Sequence, residues 1–205
     1  MRRVAIVDYG MCNLDSVRRA LEECLGAPFV TDDPTDLGDA DLIVLPGVGA
    51  FPDAMANLRA RSLDKALDEE VLGNRVPFLG ICLGMQLLAT TGHEGAETAG
   101  LGWIDADVCR LRPTPEDTRV PHVGWNEVLP ARESTLLAGM PRASDFYFVH
   151  SYHVECHNDT DVVATTPYCG GFVSAIQREN VFAVQFHPEK SQEQGFEVLR
   201  RFLAL

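Results

Sequence analysis

Cys82 sits in Gly80-Ile81-Cys82-Leu83-Gly84, between the apolar run VPFLGI (76–81) and the stretch LGMQLLATT. This is the spacing of a nucleophile elbow. A sharp strand-to-helix turn strains the central residue, and the flanking glycines relieve the crowding. At the head of the next helix, free N–H groups and the helix dipole favour thiolate over thiol. The N–H of Leu83 is then placed to donate to an oxyanion. The plainer reading of the same residues is a small buried cysteine in a tight turn. A thiol nucleophile needs a base, and the chain has six histidines. His187 stands in AVQFHPEKS at the end of an apolar strand, with Glu189 two residues on. Period-two spacing, with Pro188 keeping the segment extended, turns both side chains the same way. A carboxylate so placed binds the far imidazole nitrogen and fixes its tautomer; otherwise the pair is a surface histidine and a solvated glutamate. LPGVGAF (45–51) ends another strand in a glycine-rich turn. Gly47 and Gly49 permit unusual backbone dihedrals, so a peptide N–H near Val48 can point at a developing oxyanion. No GxxxxGK[ST] or GxGxxG fingerprint appears, so loop binding of phosphate or dinucleotide is unsupported.

Positioning these groups falls to an alternation of strands and helices. RVAIVD (3–8), DLIVLPG (41–47) and VPFLGI (76–81) read as buried strands. Leu14, Val17, Leu21 and Cys24 recur at helical spacing, and Gly26 with Pro28 ends that helix. A helical stretch follows the second strand through about residue 72, and LGMQLLATT begins a helix after the third. Strand–helix alternation of this kind means a parallel sheet with crossover helices. The second half is richer in strands: DADVCRL, RVPHVGWNEV, DFYFVHSYHVEC, DVVATT, GFVSAIQ and VFAVQFH. RLRPTPEDTR (110–119) reads as an exposed loop. A last helix starts near Ser191, with Ser191 and Gln194 as a capping box and Phe196, Leu199 and Leu203 as its apolar stripe.

The 205 residues suit one domain, 1–205, with a full core, and the formal net charge of −13 argues against non-specific binding to nucleic acid or anionic membrane. No apolar run approaches the roughly 18 residues of a membrane span. MRRVAIVDYG reaches Asp8 after four apolar residues, so it reads as a first strand and not a signal peptide. Six cysteines without a CxxC pair fit reduced thiols in a cytoplasm. His150, His153, Cys156 and His157 cluster, but strand alternation puts His150 and Cys156 on one face and His153 and His157 on the other, so no shared metal site is expected.

GICLGMQLL, QFHPEKS and LPGVGAF together resemble the class I (triad) glutamine amidotransferases, and the match runs nearly end to end. VDYGMCNLDSV, VPHVGWNEV (120–128), YFVHSYHVE (147–155) and HPEKSQEQG (187–195) narrow the resemblance to the glutaminase subunits of imidazole glycerol phosphate synthases, from histidine biosynthesis. It implies an α/β, three-layer flavodoxin-like fold: a mostly parallel central sheet flanked by helices, with an additional antiparallel sheet. It implies that Cys82 attacks the carboxamide of glutamine, that His187 moves the proton, and that Glu189 orients His187. The oxyanion is then held by backbone N–H groups of Leu83 and of the Gly47–Val48–Gly49 turn, which reorients to complete the hole. Gln86, Glu94, Ser151 and Tyr152 match positions that hold glutamine. Asn13, Trp125, Tyr147 and Lys190 match positions facing a (β/α)8 cyclase subunit, the other half of a heterodimer, which uses the ammonia to make imidazole glycerol phosphate and an aminoimidazole carboxamide ribotide. No cofactor is implied. One departure is Cys12, in DYGMCNL, where the family pattern has a small residue, usually glycine. The alternatives are a glutaminase of another pathway, a free-standing γ-glutamyl cysteine hydrolase, and an inactive binding module. The PHVGWN and HPEKSQ segments, the lack of a spare substrate domain, and the presence of all three triad residues stand against them in turn.

Overall fold

The computed structural model describes residues 1–141 and 143–205. β1 (Arg3–Val7) alternates its faces as a strand must. Val4 and Ile6 enter one buried cluster, and Ala5 and Val7 the other. α1 (Leu14–Glu23) follows, then β2 (Ala27–Thr31), β3 (Leu42–Gly47), α2 (Phe51–Ala60), α3 (Leu63–Leu67) and β4 (Phe78–Cys82). The short α4 (Leu83–Gln86) leads to β5 (Ala89–Gly92), β6 (Thr98–Ala99), β7 (Ile104–Arg110), β8 (His122–Pro130) and β9 (Ser144–His150). β10 (Tyr152–Cys156), β11 (Val162–Thr166), β12 (Phe172–Arg178), β13 (Val181–Val184) and α5 (Gln192–Leu203) complete the chain.

Among the described residues, nine strands form the main sheet in the order β2-β1-β3-β4-β13-β12-β11-β8-β9. The run from β2 to β13 is parallel, and the rest is antiparallel. The sheet is therefore mixed rather than mostly parallel, and its parallel part carries the elbow. The second sheet, β10-β7-β5-β6, is antiparallel except where β5 runs parallel to β7. Val17 and Leu21 of α1, with Val198, Leu199 and Phe202 of α5, cover one face of the main sheet. α2, α3 and the inner side of the second sheet cover the other, through Met55, Leu58, Leu67, Ala106 and Val108. Each of these Val, Leu, Met and Phe side chains contributes about 1.5–3 kcal/mol by leaving water.

Four local expectations need correction. LGMQLLATT is helical for only one turn. The carbonyls of Leu87, Leu88 and Ala89 accept from Leu101, Ile104 and Gly102, so the chain turns at 87–88 and runs on as the strand Ala89–Gly92 instead. β2 is an additional strand: Pro28 lies within it, at a sheet edge where its missing N–H costs nothing. DFYFVHSYHVEC is not one alternating strand; the chain turns at Ser151 and passes from the main sheet (β9) to the second (β10). The face assignment of His150, His153, Cys156 and His157 therefore fails, and they are dispersed by topology instead. Ser191 does not cap α5: its hydroxyl donates to the His187 carbonyl at 2.6 Å and accepts from the Tyr147 N–H at 3.0 Å.

Candidate active site

Parallel pairing of β3 with β4 sets Gly47 directly beside Cys82. Cys82 ends β4 with φ 55° and ψ −108°, a conformation that costs a non-glycine residue energy and marks a true elbow. Space around it is gained by omission. A Cβ on Gly84 would meet the Leu45 carbonyl oxygen, and one on Gly47 would meet the Tyr9 hydroxyl. Leu83 heads α4 immediately after the thiol.

β13 lies next to β4, so the residues that follow it arrive at the same edge. His187 hangs from β9 by its N–H, which donates to the Tyr147 carbonyl at 2.9 Å. Its Nδ1 lies 2.8 Å from Glu189 Oε1, and both side chains are nearly sealed, at 3% and 2% exposed. The sequence-based route to this pair was an extended His-Pro-Glu. In the fold, residues 188–190 form a 3-10 turn, closed by the Lys190 N–H on the His187 carbonyl at 3.0 Å, and the turn swings Glu189 under the ring. With Nδ1 taken, Nε2 is left buried and without a hydrogen-bond partner among the described residues, as the nitrogen available to the thiol. Burial works against a charged imidazole here, but the neighbouring Cys82 sulfur and the Glu189 carboxylate outweigh it and raise the His187 pKa.

A cleft of about 290 Å³ opens over Cys82, lined by Val48, Gly49, Leu83, Gln86, Glu94 and the corner Val149–Tyr152, with Pro121. All four sequence-derived glutamine contacts thus meet at the thiol. Gln86 spends its NH2 on the Tyr152 carbonyl (2.8 Å) and on Gln185 (3.1 Å), so its carbonyl oxygen is what it can offer a ligand. Glu94 accepts from the Phe51 N–H that opens α2, at 2.8 Å. The Val48 N–H does not point into the cleft as an oxyanion donor: it donates to the Met11 carbonyl at 2.9 Å.

Trp125 and Tyr147 are cross-strand partners on β8 and β9, edge to face with ring centroids 6.1 Å apart. Lys190 Nζ lies 5.9 Å from the centre of the Tyr147 ring. Trp125 is 48% exposed, and its neighbours Val123 and Val149 are exposed too. Asn13 is exposed at the start of α1. Cys12 is half-buried, donates to the Pro46 carbonyl at 3.3 Å, and has its thiol pushed up to about 11 by burial, which disfavours the reactive thiolate. Among the described residues no group of three or more His, Cys, Asp or Glu side chains is arranged for a metal ion.

Three site residues escaped the sequence reading. His150 lines the cleft, its Nδ1 2.8 Å from the Tyr152 carbonyl. His122 lies behind it, Nδ1 to Nε2 at 3.2 Å, and is stacked on Tyr168. Burial lowers the His122 pKa to about 4 and the His150 pKa to about 3, so both rings are neutral links. Gln185 is the third; a lone amide inside VFAVQFH was its signal.

An elbow cysteine, a buried His–Glu pair and a mixed α/β sandwich define a cysteine-dependent acyl-transfer site. The chain belongs to the class-I glutamine amidotransferase family, whose model matches residues 5–205. It is 51% identical over 203 residues to an imidazole glycerol phosphate synthase subunit HisH of Moorella thermoacetica, covering 98% of this chain and 94% of the relative. It is 44% identical to a HisH 1 subunit of Campylobacter jejuni, covering 98% of this chain and 100% of the relative. Among solved structures, a putative GMP synthase subunit from Thermoplasma acidophilum superimposes with a TM-score of 0.75 at 22% identity, covering 100% of this chain and 93% of the other. A glutamine amidotransferase superimposes at 0.77 and 17% identity, covering 98% and 97%. At such identities these two speak for the fold alone.

Proposed function

We propose that this chain is the glutaminase subunit of an imidazole glycerol phosphate synthase, with residues 1–205 acting as one amidotransferase domain. The observation that carries the reading is the full-length relationship to HisH subunits combined with a sealed His187–Glu189 pair beside the elbow thiol. In this reading glutamine enters the cleft with its carboxamide over Cys82. The sulfur attacks the carboxamide carbon, and the thiol proton passes to His187 Nε2. The oxyanion is held by the Leu83 N–H and by the Gly47–Gly49 turn. His187 returns the proton to the departing nitrogen, ammonia leaves, and a glutamyl thioester remains. Water, deprotonated by His187, hydrolyses it to glutamate.

The Val48 N–H is committed to Met11, two residues from Asn13, so the hole is incomplete at rest. That supports a glutaminase held back until a partner at Asn13, Trp125, Tyr147 and Lys190 shifts the turn. The partner is the cyclase subunit of (β/α)8 type, which receives the ammonia. The test is Cys82→Ala in the assembled complex. Glutamine-dependent turnover should fall by several orders of magnitude while turnover with ammonium salts persists. Loss of both in an intact complex contradicts the division of labour.

A further inference from the structure

Gln185 is fully buried in an otherwise apolar strand end, two residues before His187. Its main chain is fixed by its N–H, which donates to the Ser174 carbonyl on β12 at 2.9 Å. Its carboxamide ends a chain of hydrogen bonds whose direction is set by a backbone group. The Tyr152 carbonyl can only accept, so the part of Gln86 that lies 2.8 Å from it is the NH2. The same NH2 lies 3.1 Å from Gln185, which must answer with its oxygen. That leaves the Gln185 NH2 toward the Cys82 sulfur, at 3.6 Å. Reversing Gln185 alone would face two NH2 groups; reversing Gln86 alone would face its oxygen against two others. A thiol is a weak acceptor, whereas a thiolate is a charged one.

We propose that Gln185 is a catalytic residue of this site: its side-chain N–H donates to the Cys82 sulfur and stabilises the thiolate, both before attack and as it departs in thioester hydrolysis. The proposal rests on the reading of Cys82 as the nucleophile. The lower end of the range for a hydrogen bond to a charged group corresponds to about tenfold in thiolate population, or about one pH unit. Removing the donor makes the thiolate rarer but more basic. Its intrinsic nucleophilicity rises about threefold for a tenfold rise in basicity. The two effects give a signature that loosened packing does not share.

The experiment is the pH profile of iodoacetamide alkylation at Cys82, read by mass spectrometry of its peptide, in wild type and Gln185→Met. The expected result is a midpoint about one pH unit higher, with a plateau rate at high pH about threefold faster. Glutamate release at neutral pH, by the chain assembled with the cyclase subunit and its nucleotide substrate, should fall about threefold in kcat, with KM unchanged. If the Met variant does not fold, Gln185→Leu, which likewise carries no donor, should raise the midpoint to the same extent. A folded variant with the wild-type profile, in a chain whose wild type is alkylated at Cys82 and releases glutamate, overturns this inference alone. A wild type that does neither overturns the glutaminase reading, and this inference with it.

Discussion

Glu189→Gln separates the charge of the buried carboxylate from its shape. At 2.8 Å, a carboxylate and an imidazolium attract by about 6 kcal/mol at an effective dielectric constant of about 20. Glutamine preserves a hydrogen bond to Nδ1 but not the charge. Charge-assisted hydrogen bonds are roughly twice as strong as neutral ones, so about half of that stabilisation, about 3 kcal/mol, is lost when His187 takes the proton. This corresponds to roughly a hundredfold in kcat. Glu189 does not line the cleft, so KM for glutamine should stay within about twofold. The carboxylate also helps raise the His187 pKa, so its removal should shift the basic limb of the rate profile to lower pH. Glu189 Oε2 is buried without a partner, so the new NH2 meets no acceptor there, and the fold should lose about 1–3 kcal/mol. Steady-state glutamate release across pH, beside a urea melt, reads all of these. A kcat within twofold of wild type, or a loss confined to KM, would refute the orienting role of the carboxylate.

His122 and His150 are held neutral at about 4 and about 3, against 6.5 when unfolded. The unfolded chain binds more protons in that window, so stability is full above about pH 6.5 and falls toward pH 4, by about 3 kcal/mol for His122 alone. Urea midpoints at several pH values should show this, with a shallower slope in His122→Phe; an unchanged slope would exclude the assignment. Gly84→Ala should prevent folding or displace the elbow, at more than about 4 kcal/mol, because its Cβ meets the backbone of Leu45. Gly73→Ala, with nothing near its Cβ, should stay within about 1 kcal/mol of wild type, and thermal melts compare the two.

Much of this site is written in local pattern. VPFLGI followed by CLG specifies a buried strand that must turn sharply, and the neighbouring LPG and QFHPE run out at the same sheet edge because β3, β4 and β13 are adjacent. What escaped the sequence was set by distant partners. Residues 87–91 have a helical look until the 101–104 segment captures their carbonyls. The hydroxyl of Ser191 serves β9 and His187 rather than its own helix. Glu189 reaches the imidazole through a 3-10 turn that period-two spacing does not describe. The chain's passage from one sheet to another at Ser151 decides which histidines meet, and no local pattern records it. Gln185 had a readable signal in its polarity, but its partner was visible only once β13 lay beside β4.

The central claim is that a thiolate glutaminase in this chain is held back by its own oxyanion turn and released by a cyclase partner. The direct measurement is the rate of glutamate release from glutamine by the purified chain, alone and with the (β/α)8 cyclase and its nucleotide substrate. The account predicts a low rate alone and a large rise in the complex. A high rate alone that the partner leaves unchanged would contradict it, and would point to a free-standing hydrolase or to the glutaminase of another pathway.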